Sequence, residues 1–230
     1  MQEIRARSPA RPIRSYVLRA GRITAAQARA LEQCWPKYGI DYQARTLDLT
    51  QLYGRSAPVT LEIGFGNGEH LVRRAARECE RDFLGIEVHR PGVGHLLLAA
   101  TRSDINNLRV IVHDAVEVLE HQIAPASLDE ALLLFPDPWP KKRHHKRRLV
   151  QPPFIALLAS RLRGGGRLQI ATDWTPYAEQ MFVDLKACPG LLERQTAHAS
   201  TAEERTRFER RGERMGHRIH RLLFERATSD

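Results

Sequence analysis

From Val59 onward the chain alternates short apolar runs with amphipathic stretches. Residues 59–63 have the length and β-branched content of a buried strand, and the glycines that follow punctuate a turn. The pattern then predicts a helix over about 69–79, a strand over 82–87 and a helix over 92–101. It continues with a strand at 108–113, a short helix at 116–122 and a strand at 128–135. A proline-opened helix at 151–162, a strand at 167–172 after the turn Gly164-Gly165-Gly166, and a helix over about 176–186 complete the series. Strands alternating with helices imply an α/β fold whose mostly parallel sheet is covered on both faces. Residues 222–225 are expected to add a last strand, antiparallel at the edge. Upstream, Thr24 is a candidate N-cap for a helix over 25–34 that Pro36 stops. The chain thus divides into an arm at 1–22, a helical lead-in at 23–57 and a main domain at 58–230.

Chemistry begins at the first turn, Glu62-Ile63-Gly64-Phe65-Gly66-Asn67-Gly68. Glycines there let the backbone approach a ligand and adopt positive φ. A dinucleotide fingerprint needs GxGxxG, but the third glycine comes one residue early and Glu69 takes the final position. The loop instead resembles the E/DxGxGxG motif of class I S-adenosylmethionine-dependent methyltransferases; by itself it is equally an ordinary tight turn. Glu87 ends the second strand, where an acid can accept from a ribose diol, and Asp114 ends the third, where one can face an adenine amino group. Asp137 lies just past the fourth. Glu62, Glu87, Asp114 and Asp137 therefore converge on the rim where open parallel sheets hold ligands, which favours an adenosyl cofactor over coincidence.

The fourth strand runs into Pro136-Asp137-Pro138-Trp139-Pro140, where prolines cannot extend it. Six of the eight residues at 141–148 are Lys or Arg, within a chain of 36 basic and 27 acidic residues and net charge +9. Charge clustered this way points to a polyanionic partner more than to solubility alone. Arg5, Arg7, Arg11, Arg14, Arg19 and Arg22 face a single acid, Glu3, in the arm, which either orders on RNA or stays solvated. Trp139 is either a core residue or a stacking platform. Cys34, Cys79 and Cys188 form no CxxC pair, no apolar run approaches ~20 residues, and no secretory apolar segment opens the chain. A cytoplasmic protein without a membrane span is expected. His217 and His220 have HxxH spacing but no accompanying Cys or carboxylate pattern, and His144 and His145 suit RNA better than zinc, so no metal is expected.

At this point several separated motifs agree. Residues 135–148 (FPDPWPKKRHHKRR), Ala171-Thr172-Asp173-Trp174, and Thr206-Arg207-Phe208-Glu209 with Gly216-His217 beyond it resemble the bacterial tRNA (guanine-N7-)-methyltransferase family. So does IRSYVLRAGRIT at 13–24, and the resemblance spans roughly residues 13–226. It implies a Rossmann-like class I methyltransferase fold with a mostly parallel seven-stranded sheet. It further implies methyl transfer from S-adenosyl-L-methionine to N7 of guanine 46 in the tRNA variable loop, giving 7-methylguanosine and S-adenosyl-L-homocysteine. Residue by residue, Glu62, Gly64, Gly66, Gly68, Glu87, Asp114 and Asp137 would line the cofactor site, with Asp137 also the catalytic acid. Lys141, Asp173, Thr206, Arg207, Phe208 and Glu209 would contact substrate. Arg143, His144, His145, Lys146, Arg147 and Arg148 would bind RNA. A monomer or weak homodimer is expected.

Two other readings stand beside this one. A non-catalytic RNA-binding module on the same fold is opposed by the complete set of rim acids. An amino-group methyltransferase for adenine or cytosine is opposed by the single proline between Asp137 and Trp139, where that class carries two. For N7 chemistry, Asp137 has three open roles: guanine recognition, charge stabilisation or cofactor placement.

Overall fold

The computed structural model describes residues 14–16, 21–195 and 205–228, so most of the basic arm lies outside the described residues. The lead-in carries helices α1 (Ala25–Gln33), α2 (Trp35–Tyr38) and α3 (Leu49–Tyr53), with a two-residue strand β1 (Gly39–Ile40) among them. Thr24 opens α1 through a reciprocal cap: its hydroxyl accepts from Gln27 N at 3.2 Å and its own N–H donates to Gln27 Oε1 at 2.9 Å. Pro36 sits in the first turn of α2, where a missing N–H is harmless.

The main alternation follows as β2 (Val59–Ile63), α4 (Glu69–Arg77), β3 (Asp82–Ile86), α5 (Arg90–Arg102), β4 (Leu108–Ile111) and α6 (Ala115–His121). Then come β5 (Leu128–Leu134), α7 (Pro152–Arg161), β6 (Leu162–Thr172), α8 (Thr175–Lys186), β7 (Leu191–Arg194), α9 (Arg207–Arg214) and β8 (His220–Arg226). The strand order is β1-β4-β3-β2-β5-β6-β8-β7. Pairing is parallel from β1 to β6, whereas β8 runs antiparallel to both β6 and β7. Among the described residues no helix is long and apolar enough to cross a membrane.

The Rossmann-like fold agrees with the expectation, with two corrections. The sheet has eight strands rather than seven, because Gly39 and Ile40 pair with Val110 and Ile111 at one edge. The tail strand is antiparallel but interior, since Leu191–Arg194 takes the edge beyond it. Helices α1, α4 and α5 cover one face around Leu71, Phe83, Leu96 and Val110. Helices α6, α7 and α8 cover the other around Leu61, Leu119, Leu158 and Tyr177.

What positions the site is the point where the strand order turns around. β3 and β5 flank β2 on opposite sides, so the chain leaves β2 and β5 in opposite directions and opens a crevice between them. In-register pairing of Ile63 with Ile86, and of Ile86 with Ile111, brings the strand ends level at one rim.

Phe224 shows how the antiparallel insertion is held. It is 1% exposed and meets Phe182 of α8 edge-on at 6.4 Å between ring centres. Phe224→Ala is expected to cost about 3–5 kcal/mol in urea unfolding, with an unchanged denaturant slope.

Candidate active site

The loop after β2 is built from left-handed backbone: Gly64, Gly66 and Gly68 have φ of +74°, +59° and +74°. Gly68 is also the N-cap of α4, and a Cβ there would stand 2.4 Å from Leu96 of α5, so conformation and space both require glycine. Glu87 closes the loop from the end of β3. Its Oε2 accepts from Gly66 N at 2.8 Å, and its Oε1 accepts from Val88 N at 2.7 Å and His89 N at 2.9 Å. Three of a carboxylate's roughly four acceptor positions are therefore taken, leaving about one for a ligand hydroxyl.

The other acids are placed differently from one another. Asp114 caps α6 by accepting from Val116 N at 2.9 Å and stays half-exposed. Glu62 is 2% exposed and lies beneath the loop, with Oε2 at 2.8 Å from Nδ1 of His70 on α4. Asp137 is exposed and, among the described residues, has no hydrogen-bond or ion-pair partner. It stands between two non-glycine residues in left-handed backbone, Phe135 at φ +58° and Trp139 at φ +45°. Such strain persists only where surrounding contacts enforce it, and it concentrates at functional loops. Phe135 is held by its N–H to the carbonyl of Ala171 on β6 at 2.7 Å.

Trp139 proves to be neither a core residue nor a free platform. Its indole N–H donates to the Ser15 carbonyl at 3.2 Å, the Arg147 guanidinium lies 5.1 Å over its ring, and His144 meets it edge-on. The basic run folds as a 3-10 helix over Lys142–Arg147 with Lys141 before it. Lys141, Lys142, Arg143 and Lys146 are exposed, while His144, His145 and Arg147 are half-buried. Desolvation, and then the charges of Arg143, Arg147, Lys141 and Lys146, draw the His144 imidazole pKa below its ordinary value. Arg148 departs from its neighbours: at 5% exposure it does not share their surface.

The Thr206–Glu209 motif is a helix cap. Thr206 Oγ1 accepts from Glu209 N at 3.0 Å and opens α9. Thr206 is 9% exposed, and Glu209, at 3%, forms an ion pair with Arg221 of β8. Arg207 and Phe208 point outward instead. Phe208 stacks on Phe135 with ring centres 6.3 Å apart, and its ring edge would lie 3.9 Å from a Cβ on Gly66. Helix α9 therefore reaches over both loops of the crevice. Asp173, just past β6, has Oδ2 at 3.1 Å from Nδ1 of His217, whereas His220 turns to the Thr175 hydroxyl at 3.0 Å. Among the described residues no group of three or more His, Cys, Asp or Glu is placed to hold a metal.

The expected site residues are thus brought to one rim, except that Glu62, Thr206, Glu209 and Arg148 are turned inward. His70, Arg221, Tyr177 and Gln180, which hold those buried groups, carry no signal in single-sequence patterning. An adenosyl cofactor fits the side of the crevice formed by the glycine loop. A Cβ on Gly64 would meet nothing within 4 Å, so the loop backbone is open to a ligand there, and Glu87 and Asp114 supply acceptors beside it.

Comparison with known proteins adds to this geometry. The family model described as "Putative methyltransferase" matches residues 56–222. A tRNA (guanine-N(7)-)-methyltransferase of Alkalilimnicola ehrlichii is 52% identical over 222 residues, covering 94% of this chain and 93% of that protein. One from Halorhodospira halophila is 50% identical over 222 residues, covering 94% and 96%. Among solved structures, TrmN from Thermus thermophilus aligns with a TM-score of 0.54 at 17% identity, covering 77% of this chain and 47% of that one. An rRNA methylase from Streptococcus thermophilus aligns with a TM-score of 0.53 at 12% identity, covering 75% and 88%. These two likenesses speak to the fold.

The buried Glu209–Arg221 pair yields a local prediction. Glu209→Ala should lower the opening free energy of α9 by about 2 kcal/mol, the scale of a hydrogen bond to a charged group. Amide exchange over 207–214 should accelerate accordingly while the β2–β5 core keeps its protection.

Proposed function

The chain belongs to the bacterial tRNA (guanine-N7-)-methyltransferase family and is an S-adenosylmethionine-dependent enzyme; from that premise we propose that it methylates N7 of guanine 46 in the tRNA variable loop. The observation that carries the reading is the crevice itself. The glycine loop, Glu87 and Asp114 form one wall, the Asp137 loop forms the other, and α9 bridges them. When bound, S-adenosyl-L-methionine supplies an electrophilic methyl group on a sulfonium, and S-adenosyl-L-homocysteine is what remains.

In this reading Gly64, Gly66 and Gly68 let the loop backbone lie close to the cofactor. Glu87 offers its remaining acceptor position to a ribose hydroxyl, and Asp114 faces the adenine. Glu62, paired with His70, braces the loop from below.

The acceptor atom needs little acid–base help. Guanine N7 carries an in-plane lone pair and no proton, so catalysis rests on alignment more than on a strong base. Methylation leaves positive charge on the purine, and a carboxylate near the ring stabilises that charge as it develops. An exposed, unpartnered Asp137 suits that role, and the same carboxylate can accept from guanine N1–H and the 2-amino group. Asp173, steadied by His217, is the second acceptor for the base edge. Phe208 and Arg207 reach the substrate from α9, while Thr206 and Glu209 act by holding that helix in place. Lys141, Arg143, His144, His145, Lys146 and Arg147 form the RNA-facing stretch, together with Lys142.

Purified protein incubated with unmodified tRNA and S-adenosyl-L-methionine should yield 7-methylguanosine, detected by mass spectrometry of released nucleosides. Its position should map to guanine 46 by chemical cleavage at the modified base. Label on another base or on protein would sink the reading. Asp137→Ala should lower turnover at least ~10²-fold while leaving the melting temperature nearly unchanged, since the side chain supports no packing.

Replacing Lys142, Arg143 and Lys146 by Gln should weaken tRNA binding across all sequences. The slope of log affinity against log salt should shrink by about one for each phosphate no longer neutralised. An unaltered slope would assign these residues to solubility instead.

A further inference from the structure

We propose that Arg148 is a positioning residue for the reaction: its guanidinium grips the carbonyl of Pro138 and thereby fixes the loop that presents Asp137. The proposal rests on the assignment of Asp137 to the reacting base.

Sequence groups Arg148 with the RNA-facing cations, but its environment is that of a buried strut. It is 5% exposed, and among the described residues no carboxylate pairs with it. Its Nε donates to Pro138 O at 2.9 Å and an Nη donates to Gln180 Oε1 at 3.1 Å. The guanidinium carbon lies 4.6 Å over the ring of Tyr177. Both supporting residues belong to α8 and are themselves fixed: Tyr177 Oη accepts from Val150 N at 3.0 Å, and Gln180 Nε2 donates to Val150 O at 3.0 Å. Among the described residues the Nη2 of Arg148 is buried without a hydrogen-bond partner. A guanidinium buried without an anion opposes folding, so its benefit lies elsewhere. Burial accordingly draws its pKa below the ordinary guanidinium value.

Apart from Arg148, the gripped loop is held through the Trp139 side chain, by Ser15, Arg147 and His144, and its own backbone adds nothing. Residues 136, 138 and 140 are prolines and carry no N–H, and among the described residues 136–140 make no backbone–backbone hydrogen bond. Trp139, next after Pro138, is in left-handed backbone at φ +45°. The Pro138 carbonyl belongs to the peptide next after the one that leaves Asp137, so releasing it loosens the backbone that aims the carboxylate. Lysine keeps the charge but cannot bond Pro138 and Gln180 in one plane while stacking on Tyr177.

The test uses the full chain with unmodified tRNA and radiolabelled S-adenosyl-L-methionine. Single-turnover rates at saturating tRNA are measured beside tRNA affinity over a range of salt concentrations. Arg148→Lys should lower the rate about 10²-fold, the scale of an ångström-sized misplacement, with tRNA affinity and salt slope unchanged. Gln180→Ala should lower the rate in the same direction and by less, and it keeps the proposal testable if Arg148→Lys folds poorly. Arg143→Gln, by contrast, should weaken tRNA binding and flatten its salt dependence. Weakened, less salt-dependent tRNA binding by Arg148→Lys with a normal saturated rate would return Arg148 to the phosphate-binding set and overturn the proposal. A lower melting temperature with a normal rate would overturn it too. A near-parental rate for Asp137→Asn would bring down the Asp137 assignment and this proposal with it. A normal Arg148→Lys rate beside an inactive Asp137→Asn would remove Arg148 alone.

Discussion

The reversal of strand order at β2 is the constraint on which the molecule depends. Right-handed crossovers place helices on one face when the chain steps one way along a sheet and on the other when it steps back. Stepping from β2 to β3 to β4 puts α4 and α5 on one face; returning to β5 and β6 puts α6 and α7 on the other. The connections that leave β2 and β5 therefore part company directly above two paired strands, Glu62 facing Leu132 and Ile63 facing Leu133 in register. No side chain needs to be removed to make the crevice. Topology makes it, and local sequence decides only what lines it.

Helix α9 turns two separate loops into one site. Its position is fixed from beneath by the Thr206 cap and by the Glu209–Arg221 pair, which anchors it to β8, the strand inserted antiparallel beside β6. From that anchor Phe208 touches Phe135 on one side and lies over Gly66 on the other. Packing of a strand at the far side of the sheet is thus communicated to the crevice through a buried ion pair and one exposed aromatic ring.

β2 and β3 were legible because they are buried along their whole length, and β4 and β5 because they are mostly so and read as largely apolar runs. β1 was not, since two residues have no period, and β7 was not, because only Leu191 of its four residues is buried. The site residues follow the same logic. Glycines and acids at strand ends announce themselves by position, but the direction a side chain takes does not. In Thr206–Glu209 the first and last members turn inward and the middle two outward, because residues three apart at a helix start share a face and here that face is the inner one. Within the basic run Arg148 is chemically identical to Arg147. What separates them is the approach of Tyr177 and Gln180, some thirty residues downstream, which no local pattern encodes.

The distribution of charge in the site has a consequence for how a nucleotide enters it. Lys141, Lys142, Arg143 and Lys146 stand exposed on the outer shoulder, while Glu87, Asp114 and Asp137 face the crevice. A phosphate is drawn to the shoulder and repelled from the interior. In the proposed reaction the substrate base is neutral and becomes cationic on methylation, so the interior acids favour the base over its own backbone, and the product ring more than the reactant. A nucleotide on this surface lowers its energy by leaving its phosphates on the basic shoulder and turning its base inward. Unstacking a base costs a few kcal/mol, least where it is not paired in a helix. In the proposed reaction the opposed charges set the orientation of entry, and the glycine loop and Asp137 loop set the depth.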